Sequence, residues 1–259
     1  MASSDTVLVT GASSGIGRAL AHCFARNGHT CVLLARSEDA LHSLADTLRA
    51  HYGVDASVLP ADLSDPEAAD SVWDQLQDRN LHVDVLVNNA GFGVRGRFAE
   101  EDAQQQMDMV QVNVTALTHL TRLLLPDMLK RGRGGVLNVA STAAFQPGPN
   151  MSVYYATKAY VLSFSEGLAE EVAGRGITVT CLAPGPTRTP FVEKAEMDDT
   201  ALFRFAEPMT AEAVAQAGHD GFRSGEPLVI PGWPNKIGAF LIRFAPRSLT
   251  RKVTGWLNT

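Results

Sequence analysis

The sequence predicts an α/β fold built on one doubly wound parallel sheet of seven strands, with helices on both faces. Short β-branched or apolar runs alternate with longer stretches of helical periodicity, the pattern of repeated strand–helix–strand units. The short runs are continuously apolar rather than alternating, which marks strands buried on both faces. Hydrophobic residues make up 45% of the 259 and charged residues 19%, which supplies apolar side chains for one sizeable core.

Seven runs qualify as strands: residues 7–10, 31–35, 56–59, 83–88, 136–140, 178–182 and 228–230. The intervening helical stretches provide right-handed crossovers. Val110, Val114, Leu117, Leu120, Leu124 and Met128 recur at three- and four-residue steps and predict one continuous helix, with Pro126 placed to kink it near its end. Val161, Ser165, Leu168 and Val172 mark another, stopped by Gly174 and Gly176. Residues 141–150 and 183–208 are rich in loop formers and follow strands, where such sheets bind ligands. Residues 1–231 are expected to form the catalytic domain, and residues 232–259 a basic amphipathic extension packed on or beside it.

A net charge of −6 argues against nucleic acid as a partner, because the whole chain repels phosphate backbones. Cys23, Cys31 and Cys181 are odd in number and lie in apolar segments, so buried free thiols in a reducing, cytoplasmic setting are expected. Residues 1–5 lead into the first strand without the basic and apolar regions of a signal peptide. No run approaches the roughly 18 apolar residues of a membrane span.

The first strand ends in Thr10, Gly11, Ala12, Ser13, Ser14, Gly15, Ile16 and Gly17, followed by a helical pattern. A glycine turn at a helix start lets the backbone approach a pyrophosphate, with free N–H groups and the helix dipole attracting its charge. Ser13 and Ser14 can add hydroxyl contacts. Where NAD-binding chains carry a carboxylate for the ribose hydroxyls, the second strand here ends in Ala35 and Arg36. A permanently charged guanidinium suits a 2′-phosphate, which favours NADP(H); a solvated surface arginine is the competing reading. Asp62, followed by Leu63, is expected to accept from the adenine amino group, or else to cap a helix beginning near Pro66.

Tyr154 and Lys158 lie four apart in a helical segment, so they share a face. A lysine ammonium beside a phenol lowers the phenol pKa from its ordinary value of about 10, which makes proton exchange near neutral pH feasible. Tyr155 has Ala159 in the corresponding position and cannot take this part.

Taken in order, Thr10-Gly11-x-x-x-Gly15-x-Gly17, Asn88-Asn89-Ala90-Gly91, Asn113, Ser141, Tyr154-x-x-x-Lys158 and Pro184-Gly185 resemble the short-chain dehydrogenase/reductase family, in its compact branch, over residues 5–232. The resemblance implies a Rossmann fold with Tyr154 as general acid in reduction and base in oxidation. It implies that Lys158 holds the nicotinamide ribose, that Ser141 holds the substrate oxygen, and that Asn113 binds a water relaying protons to Lys158. It makes Asn88 structural and lines the cofactor with Asn89, Ala90 and Gly91. Pro184, Gly185 and Thr187 or Thr189 would contact the nicotinamide amide. It also implies a homo-oligomer, dimer or tetramer.

Val94, Phe145, Met151, Pro186 and Phe191 are expected pocket residues, and their apolarity suggests a hydrophobic ketone, aldehyde or secondary alcohol. The competing function is a catalytically silent NADP(H)-binding sensor or regulator. The tail, residues 232–259, contains Lys236, Arg243, Arg247, Arg251 and Lys252 and no acidic residue. Its Ile237, Phe240, Leu241 and Phe244 share helical spacing. Packing of this face on the domain is the favoured expectation, ahead of an oligomer contact or an anionic membrane surface.

Overall fold

The structure, a computed structural model, describes residues 5–195, 197, 199–205 and 207–259. Of the N-terminal stretch, residues 1–4 lie outside the described residues. Seven strands, β1 (Thr6–Thr10), β2 (Thr30–Ala35), β3 (Ala56–Pro60), β4 (Val85–Asn88), β5 (Gly134–Val139), β6 (Ile177–Leu182) and β9 (Leu228–Val229), form one parallel sheet in the order β3-β2-β1-β4-β5-β6-β9. Leu8 lies between Val32 of β2 and Leu86 of β4. Two strands were not expected: β7 (Thr187–Arg188), inside the stretch 183–208 read as loop-rich, pairs with β8 (Met209–Thr210), just beyond it.

The continuous apolarity of the strands has the expected cause, since each strand feeds two cores. In β1, Val7 and Val9 face α1 (Gly15–Arg26), α2 (Glu38–Tyr52) and α9 (Ala211–Arg223), packing with Leu20, Leu44 and Val214. Leu8 faces the other way, toward α3 (Ala68–Asp78), α5 (Leu117–Arg131) and α6 (Ser152–Glu171), packing with Val72, Leu120 and Leu168. All three cysteines are free and buried. No helix among the described residues is long and apolar enough to cross a membrane.

The helix predicted through 110–128 is continuous but not α-helical throughout. After α4 (Ala103–Val110), capped by the Asp102 carboxylate, residues Gln111–Ala116 form a π-helical turn before α5 begins. A hydrophobic period of three and four cannot register one extra residue in a turn, so the pattern passes over it. Pro126 lies inside α5, which runs on to Arg131 and ends at Gly132 in the left-handed conformation. The strand order reverses between β1 and β4, and this switch point opens a crevice at the carboxyl ends of the strands.

Candidate active site

A cleft of about 450 Å³ lies over that crevice, walled by the segments that follow β1 to β6. Gly11, Ser13, Ser14, Gly15 and Ile16 line it from the β1–α1 turn. Gly11 and Gly15 have φ of +64° and +53°, a region glycine enters without strain. Ser14 is the N-cap of α1, yet its hydroxyl makes no capping bond, which leaves it and the first-turn N–H groups facing an anion site.

Gly17 serves another purpose and does not line the cleft. A Cβ there would run into Asn89 Nδ2 and the Gly11 carbonyl. Asn89 Nδ2 donates to the carbonyls of Thr10 (2.8 Å) and Gly11 (3.2 Å), while Thr10 Oγ1 accepts from the N–H groups of Asn89 (3.0 Å) and Ala90 (2.9 Å). The end of β4 is thereby bolted to the glycine turn, with Asn89, Ala90 and Gly91 on the cleft wall. Below them Asn88 Nδ2 donates to Thr121 Oγ1 and Asn138 Oδ1, both at 2.9 Å, and Asn138 Nδ2 donates to Ser165 Oγ at 2.9 Å. The network joins β4 and β5 to helices α5 and α6; two of its members, Thr121 and Asn138, carried no signal in the sequence, and Ser165 entered only as a position in a helical pattern.

At the outer end, Arg36 and Asp62 are half to mostly exposed and stand 3.7 Å apart, with Leu63 beside them on the wall. Burial pulls Asp62 upward, but hydrogen bonds from the Ser64 N–H (3.0 Å) and hydroxyl (2.8 Å), with the Arg36 charge, hold it below the usual carboxylate range. Helix α3 begins at Ala68, so Asp62 does not cap it.

The inner end is buried. Tyr154 packs its ring 5.4 Å from Phe191, and its hydroxyl meets that of Ser141. Ser141 caps a short 3-10 turn (Thr142–Phe145) by accepting from the Ala143 N–H at 3.1 Å, which leaves its own proton to donate. Lys158, also buried, donates to the Val139 carbonyl at 2.9 Å, with Nζ 5.9 Å from the Tyr154 ring centre. Burial lowers its pKa to about 8. The sequence reading has Lys158 lowering the Tyr154 pKa; in the folded chain burial raises it instead, and the Ser141 hydrogen bond offsets only part.

Asn113 comes from the π turn, and its side chain makes three hydrogen bonds. Its Oδ1 accepts from the Phe92 N–H (3.1 Å), and its Nδ2 donates to the Phe92 carbonyl (2.9 Å) and to Thr157 Oγ1 (3.1 Å). The amide therefore clamps the segment after β4 to α6, with both Nδ2 protons used and one acceptor position left on Oδ1. Thr187 likewise spends its hydroxyl on the Gly185 carbonyl at 2.9 Å, whereas Thr189 caps no helix N–H. Thr189, Pro184 and Gly185 all face the cleft.

Of the expected pocket residues, Pro186 and Phe191 line the cleft. Val94, Phe145 and Met151 do not: Val94 and Met151 belong to the apolar cluster that includes Tyr154, and Phe145 packs against the cluster of Val161 and Cys181. Apolar character could not separate a pocket wall from the core. In their place stand Val192, Met197, Phe203 and Leu257. Leu257 belongs to the C-terminal tail. Its neighbour Asn258, fully buried, accepts from the Tyr155 hydroxyl at 3.0 Å and donates to the Pro149 carbonyl at 2.8 Å.

Residues 5–200 match the family model described as short chain dehydrogenase. The chain belongs to the short-chain dehydrogenase family. Two curated relatives of this short-chain dehydrogenase are sulfoacetaldehyde reductase 2 of Chromohalobacter salexigens, 37% identical over 82% of this chain and 86% of the relative, and serine 3-dehydrogenase of Agrobacterium fabrum, 34% identical over 82% and 85%. Among solved structures, a short-chain dehydrogenase from Sphingobium yanoikuyae in complex with NADPH is 36% identical and superposes with a TM-score of 0.84, covering 95% of this chain and 94% of that one.

Proposed function

We propose that this short-chain dehydrogenase uses NADP(H) to interconvert a carbonyl and an alcohol on a small, largely apolar substrate. The observation that carries the reading is a phenol buried against a serine hydroxyl at the closed end of a cleft whose open end carries Arg36 and, at the end of β2, no carboxylate. NADPH-bound relatives support the choice of coenzyme.

The residues fit that coenzyme: the α1 N-terminus with Ser13 and Ser14 for the pyrophosphate, Arg36 for a 2′-phosphate, Asp62 for the adenine amine, and Thr189 for the nicotinamide amide. When bound, the coenzyme supplies or accepts the hydride, and its oxidised form adds a positive charge. In reduction, Ser141 and Tyr154 donate hydrogen bonds to the substrate oxygen, stabilising the charge that develops there. Tyr154 then gives up its proton. A phenol raised by burial is protonated at neutral pH, the state a general acid needs. Lys158, fixed by Val139, holds a positive charge below about pH 8 beside the tyrosinate left behind. In oxidation Tyr154 takes the alcohol proton back.

The half-exposed to exposed side chains of Phe98 and Met107, beside a shallow apolar groove between Val110, Val114, Val153 and Ala156, support homo-oligomerisation through the α4–α6 face.

The test is a panel of ketones and alcohols assayed for NADPH consumption or production, followed by Tyr154→Phe. Tyr154→Phe is expected to lower turnover by about 10²–10⁴-fold while NADPH binding persists. Undiminished turnover would refute the role. NADPH binding without turnover of any panel member would favour the silent sensor.

A further inference from the structure

The tail folds into α10 (Trp233–Ile242) and α11 (Arg247–Leu257), and both helices are turned with their apolar faces outward. Along α10 and the turn after it, Trp233, Ile237, Phe240, Leu241 and Phe244 follow helical spacing and are 52–77% exposed. The inward side is small and polar: Ala239 is buried, and Asn235 donates to the Pro231 carbonyl at 2.7 Å and packs against Gly185. On α11 the outward stripe is Leu249, Val253 and Trp256, while Thr254 and Asn258 are buried. The expectation that Ile237, Phe240, Leu241 and Phe244 pack on the domain is thus corrected: they are exposed, and the inward contacts come from Asn235, Ala239, Thr254, Leu257 and Asn258.

Charge is distributed with the same asymmetry. Residues 227–259 carry five cations, Lys236, Arg243, Arg247, Arg251 and Lys252, and no acid. With −6 for the whole chain and +5 for this segment, the remaining residues carry −11. By helical spacing Lys236 and Arg243 border the α10 stripe and Lys252 the α11 stripe, and Lys236 Nζ lies 6.0 Å from the Trp233 ring centre.

We propose that α10 and α11 dock this chain on an anionic lipid surface. Aromatic and aliphatic side chains flanked by cations are the composition of a helix that lies in the interface, rings among the headgroups and cations on lipid phosphates. The acidic body is repelled by the same surface, so the charge separation orients the molecule tail-first. A symmetric pairing of two copies through this face would set five cations against five. A nucleic acid would meet the cations but leave the aliphatic stripe uncovered. The inference does not depend on the proposed reaction.

The experiment uses the full chain with vesicles of phosphatidylcholine containing phosphatidylglycerol, against phosphatidylcholine alone, at low and high salt. Expected are co-sedimentation with the anionic vesicles at low salt, weakening as salt rises, and a blue shift of tryptophan emission. The exposed pair Phe240→Ser/Phe244→Ser and, separately, Lys236→Glu/Arg243→Glu/Lys252→Glu should each cut the bound fraction by about tenfold or more. Both variants alter exposed side chains, so an unchanged thermal midpoint serves as the folding control. Failure to sediment with anionic vesicles at low salt overturns the proposal. Undiminished binding of the Phe240→Ser/Phe244→Ser variant overturns it too, since adsorption would then be purely electrostatic. So does a drop in oligomeric state on sedimentation velocity in that variant without any effect of vesicles, which would make the face a contact between copies.

Discussion

The two ends of the cleft are built in opposite ways. At the inner end, Thr10, Asn89, Asn113 and Lys158 are tied to the backbone by bonds of 2.8–3.2 Å, and Lys158 and Asn113 are almost wholly buried. At the outer end, Arg36 and Asp62 form an exposed pair at 3.7 Å, a contact worth about 0–1 kcal/mol at most. The groups proposed to do the chemistry are welded into the frame, and those proposed to choose the coenzyme project from strand ends into solvent. Coenzyme preference should therefore change without loss of fold, whereas the inner end should tolerate almost nothing.

Gly17→Ala attacks the welded end and has the largest expected effect. Its methyl would need the space of Asn89 Nδ2 and the Gly11 carbonyl, so the turn must shift, at a cost of about 1–3 kcal/mol. The urea midpoint should fall and NADPH binding should weaken with it; an unchanged midpoint would show that the turn has slack. Arg36→Asp probes the other end. It should leave the urea midpoint where it is and raise the NADPH Michaelis constant about 10–100-fold relative to that for NADH, the value of a charge-assisted hydrogen bond. Equal effects on both coenzymes would remove Arg36 from phosphate recognition.

The smallest effect is in the pH dependence of stability. Lys158 has a pKa of about 8 in the folded chain against 10.5 for the free side chain. Below about 8 it is charged in both states and its burial is a full cost. Between 8 and 10.5 the unfolded chain binds more protons, so the cost fades as pH rises. The thermal midpoint of the natural chain should therefore gain on that of Lys158→Met from pH 8 to 10; a constant gap would mean that the ammonium is better solvated than its burial implies.

Most of the frame was legible because seven buried strands leave seven continuous apolar runs. Ser141, Tyr154 and Lys158, which the fold brings together on one cleft, were legible as motifs at separate places along the chain. What escaped was whatever depends on direction rather than composition. Val94, Phe145 and Met151 have the right character for a pocket but are not on the cleft wall. The tail's apolar stripe was readable, but its outward orientation was not, because the polar side that holds it rests on single contacts such as Asn258 to Tyr155. The net direction of the Tyr154 shift was missed because burial outweighs the groups around the phenol, and sequence spacing carries no information about desolvation.

The π turn at Gln111–Ala116 makes the position of Asn113 a matter of counting residues. One surplus residue between α4 and α5 carries its amide to Phe92 and Thr157, while the helices on either side keep their own phase. Deleting a single residue there would restore an unbroken spiral and rotate everything downstream by about 100°. Either Leu120, Thr121 and Leu124 would swing away from the sheet or Asn113 would leave its clamp. Length at this point is held as tightly as any side chain, and a one-residue deletion should prove more damaging than any point substitution in the same turn.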